Sequence, residues 1–84
     1  MITVKYFSTS WCQPCKTFAP VFDKVMSETG TIYNKIDAES NKELAIKYNV
    51  TSVPTLIFER DGVVVGRHTG VMSAPQLKGW INRS

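Results

Sequence analysis

Apolar and polar residues alternate at the start of this chain. Ile2, Val4 and Tyr6 are separated by Thr3 and Lys5, with Phe7 on the opposite parity, so residues 2–7 are predicted to form a strand. Ser8, Thr9 and Ser10 follow as a turn-and-cap cluster. The period then changes. Phe18, Val21, Phe22, Val25 and Met26 fall at i, i+3, i+4, i+7 and i+8, one apolar stripe along a helix. Pro20 lies within that stripe. It removes a backbone donor and is expected to kink the helix without ending it, because the stripe continues to Met26. Gly30 is the expected C-terminal stop.

The second half repeats the alternation of elements. Residues 31–36 are a strand candidate, followed by Asp37. Residues 39–49 have helical character, with Leu44, Ala45 and Tyr48 on a short apolar face and Asn49 suited to the end. Residues 55–59 form a third strand, Asp61-Gly62 is a hairpin turn, and residues 63–69 return as a fourth strand that Gly70 breaks. Residues 75–82 are the last helix, with Ser73 as N-cap, Pro75 in the first turn, and Leu77, Trp80 and Ile81 on the core side. The order is βαβαββα. The first βαβ unit calls for a parallel pair with a right-handed crossover, and the tight hairpin makes the last two strands antiparallel. The expected fold class is α/β: a four-stranded mixed sheet with helices on both faces, one domain over residues 1–84.

Composition narrows the function. Apolar residues make up 43% and charged residues 20%, ordinary for a soluble globular protein. No apolar run approaches the ~20 residues of a membrane span, so no membrane partner is expected. The N-terminus has no basic region leading into an apolar stretch, so a cytoplasmic location is expected. The net charge of +3 comes from ten basic and seven acidic residues scattered along the chain. Without a Lys/Arg block this describes a solvated basic surface, and no nucleic-acid partner is expected. His68 lies in the fourth strand and reads as a surface or edge residue. A zinc site takes four ligands, which one cysteine pair and one histidine do not supply, so no metal is expected.

The chemistry is concentrated in Trp11-Cys12-Gln13-Pro14-Cys15, where a strand gives way to a helix. These are the only two cysteines. At i and i+3, opening a helix, they can close into a disulfide and reopen. A helix N-terminus offers unpaired N–H groups and the positive end of the dipole, and both favour a thiolate. A structural bridge is a poor explanation. The cytosol is reducing, and a loop this short gains little from closure.

These residues resemble the thioredoxin family. The resemblance rests on Trp-Cys-x-Pro-Cys-Lys after a strand, Pro20 eight residues beyond Cys12, Val53-Pro54-Thr55 before a strand, and Gly70 after the hairpin, and it spans nearly the whole chain. The chain differs from the family in starting at what looks like its second strand, so that the N-terminal strand and helix of full-length thioredoxins are lacking. Gln13 replaces the usual glycine. Ungapped alignment puts Tyr6 on the family's buried acid and Tyr33 on the lysine that accompanies it.

The resemblance implies a protein disulfide reductase, a thiol-disulfide oxidoreductase carrying electrons to disulfide-containing partner proteins. It would be recharged by a thioredoxin reductase or by glutathione, work as a monomer and need no bound cofactor. The alternatives are a glutaredoxin-like, glutathione-dependent reductase and a non-catalytic binding module on the same fold. Cys12 is the expected nucleophile, with its sulfur at the exposed helix end, and Cys15 the resolving thiol. A free thiol titrates near about 8.5 and the thioredoxin nucleophile near about 7, both reference values. That gap is worth roughly 2 kcal/mol. A helix terminus supplies about 0.3–1 kcal/mol, so a hydrogen bond from the Cys15 thiol is expected to supply much of the rest. Pro14 has no N–H to donate to the thiolate, which tilts the pair toward a reductant. Gln13 opposes this slightly through its side-chain amide. Tyr6, with a pKa near about 10, cannot replace a carboxylate. Resolution by Cys15 is therefore expected to use water or another carboxylate, and to be slower or displaced to higher pH. The family's Val53–Pro54 bond is cis. It would turn the Val53 backbone toward the cysteines and free its N–H and C=O for an extended substrate segment. Trp11 is expected to flank the sulfurs as part of the docking surface, Gly70 to admit a substrate backbone, and Lys16 to add positive potential.

Overall fold

The computed structural model of the chain describes residues 1–82, in the order β1 (Ile2–Ser8), α1 (Gln13–Thr29), β2 (Tyr33–Asp37), α2 (Lys42–Lys47), β3 (Thr55–Arg60), β4 (Val63–Thr69) and α3 (Ala74–Ile81). Among the described residues the strands form one four-stranded sheet in the order β2-β1-β3-β4. β1 and β2 are parallel, whereas β1–β3 and β3–β4 are antiparallel. The expected mixed sheet and element order are both present.

Strand parity sorts the side chains onto two cores. Ile2, Val4 and Tyr6 of β1 join Leu56 and Phe58 of β3 beneath α1 and α3, with Phe18, Phe22, Val25, Met26, Leu77 and Ile81. The opposite parity puts Phe7, Ile36 and Ile57 under α2, against Leu44, Ala45 and Tyr48. The helices therefore lie on both faces. α1 continues through Pro20 to Thr29 and ends on Gly30, whose φ of 65° is the left-handed conformation a C-cap glycine supplies.

Three element starts differ from the sequence-based expectation, each for a local reason. β2 begins at Tyr33 because the Thr31 N–H is still tied to the Met26 carbonyl (3.2 Å) of α1. α2 begins at Lys42 because Asp37 turns the chain first: its Oδ1 accepts the N–H groups of Glu39 (2.8 Å) and Ser40 (3.3 Å). α3 begins one residue early, where Ser73 and Gln76 form a capping box: Ser73 Oγ accepts the Gln76 N–H (3.3 Å) and Gln76 Oε1 accepts the Ser73 N–H (3.0 Å). Trp80 is half-buried and packs against the larger core from its edge. Its ring stacks on Phe58 with centroids 4.7 Å apart and covers Gly66.

Candidate active site: a cysteine pair at a helix N-terminus

β1 runs toward the first turn of α1, and residues 9–12 make the connection. The Cys12 N–H donates to the Thr9 carbonyl (3.4 Å), which holds that turn. Cys12 is the N-cap of α1, with extended φ/ψ, and its Sγ accepts the Cys15 N–H at 3.2 Å. The sulfur thus occupies the place of the usual Ser or Asp cap oxygen, on one of the N–H groups a helix leaves unpaired. The first turn holds no acidic residue, so no neighbouring carboxylate there opposes a thiolate. Pro14 sits within the first turn, where its missing N–H costs no helical bond. Cys12 and Cys15 form a disulfide with Cα atoms 5.2 Å apart.

The exposed sulfur expected at this helix end is corrected by the structure. Cys12 and Cys15 are each only 4% exposed. Cys12 is reached from a groove of about 560 Å³, flanked by Trp11, Gln13 and Pro14 on one side and residues 50–53 on the other, with Glu39, Lys42 and Ala45 of the α2 end closing it. The rim covers most of the residue and leaves it reachable from the groove. Trp11 is 66% exposed, and its indole Nε1 donates to the Glu39 carboxylate across the groove. Among the described residues, no three His, Cys, Asp or Glu lie together as metal ligands.

The Val53–Pro54 bond is cis, as the resemblance implies. Val53 lines the groove. Pro54 is buried and its carbonyl accepts the Gly70 N–H at 2.8 Å, so the two are brought together. Gly70 has a φ of 98° and open space where a Cβ would stand, but it does not line the groove that holds Cys12. Lys16 is exposed. Glu39, Lys42, Ala45, Thr51 and Ser52 are groove residues that the sequence reading did not find. They lie in a polar turn, a short helix and a loop, and no spacing in the sequence distinguishes them.

Behind the pair, a cleft of about 180 Å³ reaches Cys15, lined by Tyr6, Ser8, Thr9, Ser10, Lys16 and Lys35 among others. Tyr6 is 2% exposed, and its hydroxyl donates to the Cys15 carbonyl at 3.2 Å. Burial, with a smaller contribution from the charge of Asp23, pushes its phenol above the ordinary 10.0. It is therefore a neutral donor to the backbone, not a base for the thiol. Tyr33 lies edge-on to Phe22 at 5.3 Å, an aromatic contact at the position aligned with the family's lysine. A carboxylate–ammonium pair does exist on this face, displaced outward: Lys35 Nζ lies 2.7 Å from Asp23 Oδ1.

Comparison with known proteins agrees with this geometry. The family model described as Thioredoxin matches residues 1–83. The thioredoxin of Bacillus subtilis (strain 168) is 39% identical over 79 residues, covering 92% of this chain and 76% of that protein. Thioredoxin C-2 of Corynebacterium nephridii is 34% identical over 80 residues, covering 93% of this chain and 74% of that protein. The solved structure of a mutant thioredoxin from Halobacterium salinarum NRC-1 superposes with a TM-score of 0.93 at 33% identity, covering 98% of this chain and 73% of that one.

Proposed function

This chain belongs to the thioredoxin family and is a protein disulfide reductase, a thiol-disulfide oxidoreductase, and from that premise we propose that Cys12 is its nucleophile and Cys15 its resolving thiol. In the reduced protein the Cys12 thiolate attacks one sulfur of a partner's disulfide. The partner's S–S bond breaks, one partner sulfur leaves as a thiolate, and a mixed disulfide forms at Cys12. The Cys15 thiolate then attacks Cys12 Sγ. The second partner sulfur leaves, and the Cys12–Cys15 bridge is the oxidised product. Two electrons from a donor dithiol reopen it.

The observation that carries this assignment is the N-cap geometry. Cys12 Sγ accepts a helix N–H at 3.2 Å and opens on a groove, whereas Cys15 lies one turn inside. Trp11, Gln13, Pro14 and Val53 are proposed to form the docking rim for an extended, disulfide-bearing segment of a partner protein, and Pro54 and Gly70 to hold that rim from behind. Glu39 joins them through its bond to the Trp11 indole. A flavin-dependent thioredoxin reductase is proposed as electron source, and the chain is proposed to act as a monomeric single domain in the cytoplasm. No described helix is long and apolar enough to cross a membrane.

Insulin reduction tests the reading. Turnover is expected with a thioredoxin reductase as donor, and loss of at least about 1000-fold in Cys12→Ser, where the attacking sulfur is gone. Turnover supported by glutathione alone would favour the glutaredoxin-like role, and equal activity of Cys12→Ser would remove the assignment.

A further inference from the structure

We propose that Thr9 is a hydrogen-bond partner of the reduced Cys12/Cys15 pair and not of the disulfide, so that its hydroxyl sets how readily the pair is reduced. Thr9 is 9% exposed, and its Oγ1 is sealed from solvent with no hydrogen-bond partner among the described residues. Buried hydroxyls are nearly always paired, because leaving one unpaired forfeits its hydration without replacement. The other buried hydroxyls near this face are committed: Tyr6 to the Cys15 carbonyl (3.2 Å) and Thr55 Oγ1 to the Ser52 carbonyl (2.7 Å).

The position of Thr9 supplies its missing partner. The residue lines the groove that reaches Cys12 and also the cleft that reaches Cys15, so it stands between the two openings onto the pair. Its carbonyl already accepts the Cys12 N–H. The bridged Cys12 Sγ already accepts the Cys15 N–H, and the Thr9 hydroxyl bonds neither bridged sulfur, so in the oxidised state it has no partner among the described residues. Reduction changes that. A donor dithiol gives up two electrons and two protons and closes its own disulfide, the Cys12–Cys15 bond breaks, and two thiols replace it. A thiol offers a proton to Oγ1, and a thiolate accepts one from it. The reduced state gains a bond that the oxidised state lacks. Thr9 is therefore a positioning residue that favours the dithiol.

Thr9→Val removes the hydroxyl at nearly constant shape. Equilibrated against glutathione redox buffers, its disulfide is expected to be about fivefold or more harder to reduce than the parent's, the worth of one ordinary hydrogen bond. That is a potential lower by roughly 20 mV at about 30 mV per tenfold. Thr9→Ser, which keeps the hydroxyl, should stay within about twofold of the parent. The urea midpoint of oxidised Thr9→Val should equal or exceed the parent's, while that of the reduced variant falls. A Thr9→Val equilibrium within about twofold of the parent, or equal destabilisation of both redox forms, overturns the proposal. If valine is not accommodated, Thr9→Ala carries the same comparisons. The inference rests on the dithiol reading. A failure of that reading shows as a parent that does not poise reversibly in these buffers, whereas failure of the Thr9 role leaves the parent poised and the variant matching it.

Discussion

Tyr6 occupies the position that the resemblance assigns to a buried acid, and its neighbours explain why a phenol is stable there. The ring meets Phe18 edge-on at 5.7 Å and Phe22 at 4.6 Å, and the hydroxyl reaches the Cys15 carbonyl. A carboxylate would need a charge partner in that aromatic setting, and Tyr33 cannot supply one. Tyr6→Phe keeps the ring contacts and loses one buried hydrogen bond, so it should cost about 1 kcal/mol in the urea unfolding of the oxidised protein. The pH dependence has a definite sign. Burial raises the Tyr6 phenol above 10.0, and the hydrogen bond to Glu59 raises Lys5 above 10.5. Both groups hold their protons in the folded state at pH values where the unfolded chain releases them. Their stabilisation is full below about pH 10 and is lost as pH rises through the folded values. The alkaline fall in the urea midpoint should be shallower in Tyr6→Phe than in the parent, and identical slopes would contradict the burial argument.

The β3–β4 hairpin shows how local turn chemistry and helix packing meet. Asp61 and Gly62 both have positive φ, 52° and 81°, as a two-residue hairpin turn requires. A bulge then shifts the register, with Glu59 opposite Val64 but Phe58 opposite Gly66. At Gly66 the Trp80 ring closes on the strand, and an added Cβ would lie 2.3 Å from two of its ring carbons. Gly66→Ala should therefore force the indole off Phe58 and cost about 1–3 kcal/mol, with a change in tryptophan fluorescence. An unchanged midpoint would show that the ring moves freely. The turn was legible in the sequence because Asp-Gly is a strong local signal, and the α1 stripe because five apolar residues repeat at helical spacing. The bulge and the Trp80–Gly66 contact were not, since both depend on which strands and helices become neighbours. The same division holds at the site. Cys12, Cys15 and Pro54 carry their own sequence signals, whereas Glu39 and Thr9 acquire meaning only when the chain folds them beside the groove.

The molecule as a whole has an apolar, aromatic-rich core under α1 and α3 and a smaller core under α2 that is bordered by charge. On the α2 side, Lys5 Nζ pairs with the Glu59 carboxylate, whose other oxygen accepts the Tyr48 hydroxyl at 3.3 Å. The Glu59 side chain is 5% exposed and that of Lys5 24%. Arg67 reaches over from β4 to the carbonyls of Tyr48 and Asn49, both at 2.9 Å, and ties the end of α2 to the sheet. Lys5→Met strands a buried carboxylate and should cost about 2 kcal/mol, whereas Lys5→Met with Glu59→Leu should recover most of that loss. Equal losses in the single and double variants would show that the pair itself is what stabilises. This framework holds the end of β1 and the loop before β3 in place, beside the groove lined by Cys12, the proposed nucleophile. The most direct test is covalent trapping. Reduced Cys15→Ser, mixed with a protein disulfide and analysed by intact mass, should accumulate a mixed disulfide mapped to Cys12. The same adduct missing from Cys15→Ser, or an adduct formed by Cys12→Ser in its place, would contradict the account.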